Sequence, residues 1–526
     1  MRRTVLAVAG ILAASAAPGR AQGLFAQAPP SPPLEAPSRV GVVRSRAVRI
    51  RLGRIPGASA RETAHGVLPP RGHRLVLNLF DDVVVRARLA RTERQGRALV
   101  WAGKIDGQPV GDVVLAVVDG VLSGSAVWPG GAYRIRFDGT SQIVEELDHD
   151  RFNEDGCFRE VPGGVADVAA APAASPAASP DDGSLIDVLV VYTPAARAAA
   201  GGTSAMLSQV NLAVAETNTG YANSSVVQRL RLAAAVEVSY AESGDIGEDL
   251  DRVTGPGDGY IDGVHALRNT YYADVVSLIT ETPGSPYCGV AWLWPNRSSG
   301  FEPYAFSVVE LACMTGYYSF GHEIGHNMGL NHARSDVTGT GAYSYSYGYK
   351  WTGYRTVMAY APGTRVLHFS NPNVTYGGNP TGVSETSGSA AYNALSLNNT
   401  RVTVANWRQS LPPSSVHLAA PNGGERWTAG STHDVTWTSA NLPAGAIVRI
   451  AYTDGTGRGF TTNRTTGGAI ASVPASQGSY SWTVPFNPGS AWRVKLCVPT
   501  ASPARGTAGG SCLVSDTSDA PFSIVP

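Results

Sequence analysis

The chain has no excess of either charge. Its 526 residues carry 41 Lys and Arg against 41 Asp and Glu, so the formal net charge is zero, and only 16% of residues are charged. Nothing in that balance points to a nucleic acid or other polyanion as a partner. Long apolar runs are scarce too. Beyond the N-terminal segment no stretch is apolar and long enough to span a membrane. Cysteine is rare and odd in number, with five residues, so at least one cannot pair within the chain. Methionine is limited to five and histidine to ten, which makes any clustering of either informative. What is abundant is glycine (60) and proline (35), a loop-rich, extracellular style of composition.

Three of the histidines fall in one run, His322-Glu-Ile-Gly-His326-Asn-Met-Gly329-Leu-Asn-His332. His322 and His326 are four residues apart, so on an α-helix they share a face one turn apart. Both rings can then reach one Zn2+ ion at about 2.0–2.1 Å. His332 lies too far along to share that face unless the helix stops. Gly329 can stop it by taking a left-handed conformation and turning the chain back. Three protein ligands leave a fourth position open, the mark of a catalytic rather than a closed structural site. Glu323, beside the first ligand, is placed to be the general base for a zinc-bound water.

The run resembles that of the metzincin zinc peptidases. The resemblance implies a tight turn carrying a methionine beneath the metal, and Arg355-Thr-Val-Met358-Ala-Tyr360 offers Met358. It would be a polarisable apolar floor under the imidazoles. In some metzincins a tyrosine placed like Tyr360 reaches the metal or the developing oxyanion; a packed aromatic is the other reading. Val191-Tyr-Thr-Pro, Ala273-Asp-Val-Val-Ser-Leu-Ile, His368-Phe-Ser-Asn-Pro and Asn398-Asn-Thr-Arg-Val-Thr-Val-Ala-Asn-Trp look like bacterial reprolysin-like peptidases, nearest to the peptidyl-Asp metallopeptidase group. This implies an endopeptidase acting on proteins or peptides, with a preference for bonds before acidic residues. A basic side chain should then line the pocket after the scissile bond, with Arg365 the first choice, Arg355 the second, and a solvated arginine the alternative.

The fold class expected is a multidomain chain: an α/β metzincin catalytic domain, preceded by a β-rich prodomain and followed by an immunoglobulin-like or fibronectin-type-III-like β-sandwich. Residues 1–21 read as a signal peptide, with Arg2 and Arg3, a short apolar stretch, and a cut at Ala21/Gln22. Residues 22–162 form a propeptide, with alternating strands such as Val83-Val-Val-Arg-Ala-Arg-Leu. Residues 163–183 are an Ala/Pro/Ser linker. The catalytic domain covers 184–410, with an amphipathic helix over 204–219 directing Leu207, Val210 and Val214 inward, and the zinc helix over 318–328. After a linker at 411–415, residues 416–526 carry regularly spaced strands. Trp427, Trp437, Trp482 and Trp492 there are either core residues or a binding face for a cell surface or polymer. The chain is therefore expected to be secreted and, by its Ala/Arg/Gly-rich style, bacterial.

In an exported chain Cys288 should pair with Cys313, and Cys497 with Cys512. Cys157 is left over at the end of the propeptide. As a thiolate it could take the fourth zinc position and exclude water, similar to the cysteine switch of other secreted metzincins. The linker ends in Pro180-Asp181-Asp182, which could be the enzyme's own substrate. A different class of function, an extracellular adhesion or matrix-binding protein with a structural zinc site, is disfavoured by Glu323, for which a structural site has no use.

Overall fold

A computed structural model describes residues 23–28, 40–58, 68–70, 72–95, 97–152, 156–161, 181–409, 414–442, 445–454, 467–499 and 512–526. The expected signal segment, most of the first linker and residues 411–413 of the second lie outside the described residues. The described chain divides into two compact units, one up to residue 409 and one from residue 414 onward. Where three folded regions were expected, the first two share a unit.

The N-terminal part is a nine-stranded antiparallel sheet. It meanders from Arg74–Phe80 through Val83–Gln95, Ala98–Ile105, Asp112–Val118, Val121–Trp128 and Gly131–Phe137 to Gln142–Leu147. Val42–Ile50 pairs beyond that strand, and Phe25–Gln27 beyond Val42–Ile50. The sheet curls until its edges meet: Leu24 N donates to Val76 O at 2.7 Å, and the Asn78 amide bonds both Phe25 N–H and Phe25 C=O, at 3.0 and 2.8 Å. The unbroken apolar run Val113–Val118 follows from burial on both faces. Val113, Leu115 and Val117 point into the sheet's own core with Leu77 and Trp101. Val114 and Ala116 point outward onto Leu212, Ala215, Tyr317 and Tyr318 of the following region. Each such side chain contributes about 1.5–3 kcal/mol on burial.

That region is α/β. Its six-stranded sheet runs Phe158–Arg159, Gly289–Trp292, Phe306–Glu310, Val275–Thr280, Leu185–Tyr192, Arg229–Glu237. Only Gly289–Trp292 pairs antiparallel, with Phe306–Glu310. Thr193-Pro194 starts the first helix, Pro194–Ala199, with Thr193 Oγ1 accepting from Ala196 N at 2.9 Å. The next helix, Thr203–Asn223, differs from the amphipathic reading. Val210 and Val214 are buried but Leu207 is half-buried, and much of the opposite face is buried as well. The cause is the N-terminal sheet packing on that face, where Ser208 Oγ also donates to Ala116 O at 2.9 Å. The strand Gly289–Trp292 and the helix Ile246–Thr254 were not anticipated; both are short, and the strand's four residues carry no period of their own.

The second unit holds a three-stranded sheet, Ser415–Ala420, Thr432–Ala440 and Ser479–Thr483, and a six-stranded one that includes Ile447–Thr453 and Gly489–Pro499. Their inner faces share one core. Trp427, Trp437, Trp482 and Trp492 lie in it at 8%, 4%, 7% and 5% exposure, so they build the interior and offer no binding face. Cys497 pairs with Cys512 across adjacent strands, and Cys288 with Cys313 in the first unit. No helix among the described residues is long and apolar enough to cross a membrane.

Glu216, on the helix covered from both sides, is fully buried and accepts from Gly316 N at 3.1 Å. Burial pushes its carboxyl from 4.5 up to about 8. The folded state therefore holds the proton more tightly than the unfolded chain. That contribution is complete below pH 4.5 and is lost as the pH rises through about 8. Glu216→Gln should raise the melting temperature by about 2–4 °C at pH 9 and change it little at pH 5. An equal shift at both pH values in a thermal scan would contradict this.

Candidate active site

The helix Ser319–Asn327 carries His322 and His326 on one face, and every residue in it is buried. Its end is built by Gly329, which sits at φ +86°. Gly329 N donates to His326 O and Leu330 N to Gly325 O, both at 2.9 Å. This double closure needs a left-handed residue after the helix. A Cβ on Gly329 would also fall 2.4 Å from the Ala342 Cβ. The chain then reverses and brings His332 back beneath the helix.

The three imidazoles converge. His322 Nε2 lies 3.2 Å from His326 Nε2 and 3.0 Å from His332 Nε2. His322 Nδ1 donates to Val357 O at 2.7 Å and His326 Nδ1 to Leu330 O at 2.8 Å. A carbonyl can only accept, so in these two rings Nδ1 carries the proton and Nε2 presents a lone pair. Burial holds His322 down to about 4 and lowers His326 and His332 well below the usual value, so all three are neutral at physiological pH. The bare Nε2 atoms of His322 and His326, 3.2 Å apart, repel unless a cation or a donated proton lies between them. A tetrahedral ion with metal–nitrogen bonds of about 2.0–2.1 Å spaces its nitrogens roughly 3.3 Å apart, close to what is seen. The donor set fits a metal ion.

A fourth donor completes the cluster. Cys157 Sγ lies 3.1 Å from His322 Nε2, 3.7 Å from His326 Nε2 and 3.1 Å from His332 Nε2, and the sulfur is buried. All four donor atoms lie within 4.8 Å of one another. The cysteine is delivered by the strand that follows it. Phe158–Arg159 pairs in parallel with the strand Gly289–Trp292, Ala291 N donates to Cys157 O, and the Phe158 ring packs 5.3 Å from His326 and 5.2 Å from His332.

Met358 and Tyr360 flank the cluster. Met358 is fully buried, and its Sδ would lie 2.7 Å from a Cβ placed on Gly325, between the two helical histidines. Its neighbour Val357 supplies the carbonyl that orients His322. Tyr360 Oη is 3.3 Å from Cys157 Sγ, with its ring 4.0 Å from that of His332. Burial and the adjacent cysteine push the phenol far above its ordinary value. Glu323 is buried, and its Oε2 has no partner among the described residues. Burial raises its carboxyl well above the ordinary value. The strand Gly289–Trp292 makes room for it at Gly289, where a Cβ would meet Glu323 Oε1 at 2.6 Å.

Arg365 and Arg355 are not solvated. Arg365 Nη1 donates to Tyr317 O at 3.0 Å and its guanidinium lies 4.3 Å from the Tyr317 ring centroid. Arg355 donates to Ala359 O at 2.7 Å and to His149 O at 3.0 Å. Asp181 and Asp182 are tied down: Asp181 N–H and C=O both bond the Asn406 amide, and Arg401 donates to Asp182 O. The sequence reading missed His149, Tyr317, Phe158 and Gly289. Each matters through a tertiary contact, and none belongs to a spaced motif.

Residues 184–387 match the metallopeptidase family M12B reprolysin-like model. A peptidyl-Asp metalloendopeptidase of Stenotrophomonas maltophilia strain K279a is 38% identical over 319 residues, covering 57% of this chain and 71% of that protein. The chain belongs to the reprolysin-like M12B metallopeptidases. It is a metalloendopeptidase. Proteins of the same name from Xanthomonas campestris and Pseudomonas fragi are 33% and 32% identical, over 65% and 37% of this chain and 84% and 100% of theirs. Members of this family depend on a metal ion, and among the described residues of the endopeptidase the histidine–cysteine cluster could hold one.

Gly329→Ala should cost the endopeptidase at least about 1–2 kcal/mol, from the left-handed backbone alone. It should also lower the metal retained after gel filtration. Wild-type urea unfolding and metal content in this variant would show that the turn does not set the cluster.

Proposed function

We propose that the endopeptidase is a zinc enzyme, exported and made as a latent precursor, that prefers peptide bonds before acidic residues. The observation carrying this reading is the position of Cys157, whose sulfur meets all three imidazole Nε2 atoms from a segment that precedes the α/β region. A cysteine there completes a closed four-donor set and leaves no place for water. Once the N-terminal segment is removed, three histidines and an open position remain. His322, His326 and His332 would hold the zinc, with Met358 as the floor beneath them. Zinc, when bound, polarises a water molecule and the scissile carbonyl.

The remaining chemistry belongs to the chain. Glu323 sits in a dry site that raises its proton affinity, which suits a base that takes a proton from the attacking water and passes it to the departing amine. The Tyr360 hydroxyl, now against the cysteine sulfur, would donate to the carbonyl oxygen as it gains negative charge. Preference for acidic residues is supported by the relatives' names, peptidyl-Asp metalloendopeptidase, and by two arginines beside the turn that carries Met358. Residues 1–21 would direct export, 22–162 would be the propeptide, 163–183 a linker and 184–410 the catalytic domain. Residues 416–526 would form an immunoglobulin-like or fibronectin-type-III-like module. With its tryptophans in the core, that module would reach a surface or polymer through its exposed loops.

Purified full-length chain should cleave casein only weakly before processing and strongly after it, and a zinc chelator should abolish cleavage. Glu323→Ala should reduce turnover by about 10²–10⁴-fold with zinc retained. Full activity of that variant would sink the mechanism. Cys157→Ala should be active without processing, and a latent Cys157→Ala precursor would remove the cysteine from the reading. Tyr360→Phe should lower kcat with KM unchanged; unaltered kinetics would leave Tyr360 a packing residue.

A further inference from the structure

A second part of the N-terminal segment also enters the α/β region. The turn His149–Arg151, capped by Asp148, buries His149 against Tyr317. Each partner that this turn and its flank find there is specific. His149 O accepts from Arg355 Nη2 at 3.0 Å, His149 Nδ1 accepts from Arg365 N at 3.1 Å, and Asp150 Oδ1 accepts from Gly363 N at 2.8 Å. Phe152 stacks on Tyr317, with centroids 3.9 Å apart and planes at 11°. In the other direction His149 Nε2 donates to Gly316 O at 3.1 Å.

In those three contacts the α/β region supplies only donors and the turn only acceptors. A guanidinium nitrogen and two backbone N–H groups converge on one short turn, and one of its acceptors is a carboxylate. Departure of the N-terminal segment takes all three acceptors away together; Arg355 Nη2 keeps its bond to Tyr317 Oη at 3.1 Å, and the N–H bonds made to the turn are open to replacement by another acceptor. The group that satisfies an arginine and flanking N–H donors best is a carboxylate. The place is right for a subsite. Arg355 Nη1 and Arg365 Nη2 both donate to Ala359 O, at 2.7 and 3.4 Å. Ala359 lies between Met358 under the histidines and Tyr360 beside Cys157 Sγ. Both guanidiniums are held from within the α/β region, Arg355 by Gly363 O, Ala359 O and Tyr317 Oη and Arg365 by Tyr317 O and Ala359 O, but it is the Arg355 guanidinium that also donates to the turn, while Arg365 meets the turn through its main-chain N–H.

We propose that Arg355, with the N–H groups of Gly363 and Arg365, forms the subsite that receives an acidic substrate side chain, and that His149–Asp150 fills this subsite in the precursor as an internal substrate mimic. The proposal rests on the reading of the chain as an endopeptidase acting before acidic residues. It changes the choice of specificity residue from the Arg365 side chain to that of Arg355. It also gives the precursor two separate blocks, one at the metal cluster and one at the specificity subsite.

The test uses full-length chain processed to its mature form and peptides that differ only in the residue after the scissile bond: Asp, Asn or Leu. Arg355→Gln should lower kcat/KM for the Asp peptide by about 30-fold or more and for the Leu peptide by less than about 3-fold. Arg355→Lys should recover part of the loss. A synthetic peptide of residues 147–152 should compete with the Asp peptide on wild type and lose that competition on Arg355→Gln. Its His149→Ala, Asp150→Asn form should inhibit wild type at least about 10-fold less well. Equal losses on Asp and Leu peptides in a folded, zinc-loaded Arg355→Gln would overturn the subsite, as would an unchanged Asp preference. If the arginine variants do not fold, a 147–152 peptide that fails to compete on wild type overturns the proposal alone. Wild type that prefers Asp while Arg355→Gln keeps that preference refutes only the subsite. Wild type that cuts Asp and Leu peptides equally refutes the acidic preference and this subsite together. Wild type that cuts nothing refutes the function.

Discussion

Three imidazoles converge on one point, two of them with bare Nε2 lone pairs that a cation would stabilise, and the rest of the α/β region is arranged to hold them there. Two of the rings are locked by Nδ1–H bonds to main-chain carbonyls, Val357 O and Leu330 O. Those carbonyls come from opposite sides, one from the turn that carries Met358 and one from the reversal after Gly329. The ring orientations are thus fixed by backbone whose own position depends on the sheet and helix behind it. Asn327 adds to this by donating to Trp292 O and Phe306 O, both at 3.0 Å, which fastens the end of the histidine helix to the sheet.

The same dry environment that keeps the imidazoles neutral raises the proton affinity of Glu323. Burial therefore does two jobs with one cause. It removes water from groups that could bind a metal only without protons, and it raises the proton affinity of the carboxylate beside them. Gly289 and Gly325 show how tightly the space is shared: a methyl group on either would collide with Glu323 or with Met358.

On the proposed reading the N-terminal segment is less a separate domain than a removable layer of the catalytic one. Its sheet covers one face of the Thr203–Asn223 helix, its strand Phe158–Arg159 extends the catalytic sheet, and its side chains reach both the histidine cluster and the arginine pair. The buried Arg134–Glu145 pair, joined by Arg136, belongs to this layer, and Arg134 also donates to Ala312 O. The layer extends to the two places where a substrate would have to bind.

The convergence of the three histidines was legible from the sequence because it rests on spacing. Four residues set two histidines on one helical face, a glycine in the right place ends the helix, and a glutamate beside the first of those histidines is local by construction. The strands at 186–192 and 274–279 were legible for the same reason, as continuous apolar runs of strand length. The sheet that covers the Thr203–Asn223 helix was not, because burial on a second face depends on which distant element arrives there. For that reason the side opposite the catalytic sheet is covered, against the one-sided pattern expected, while Leu207 is half-buried. Nor could spacing single out Arg355 over Arg365. Both are arginines near the same turn, and they differ only in which carbonyls each guanidinium meets, a matter of tertiary contact. His149 shows the same limit: in the sequence it is one of ten histidines, and only the fold places it between two arginines and a tyrosine.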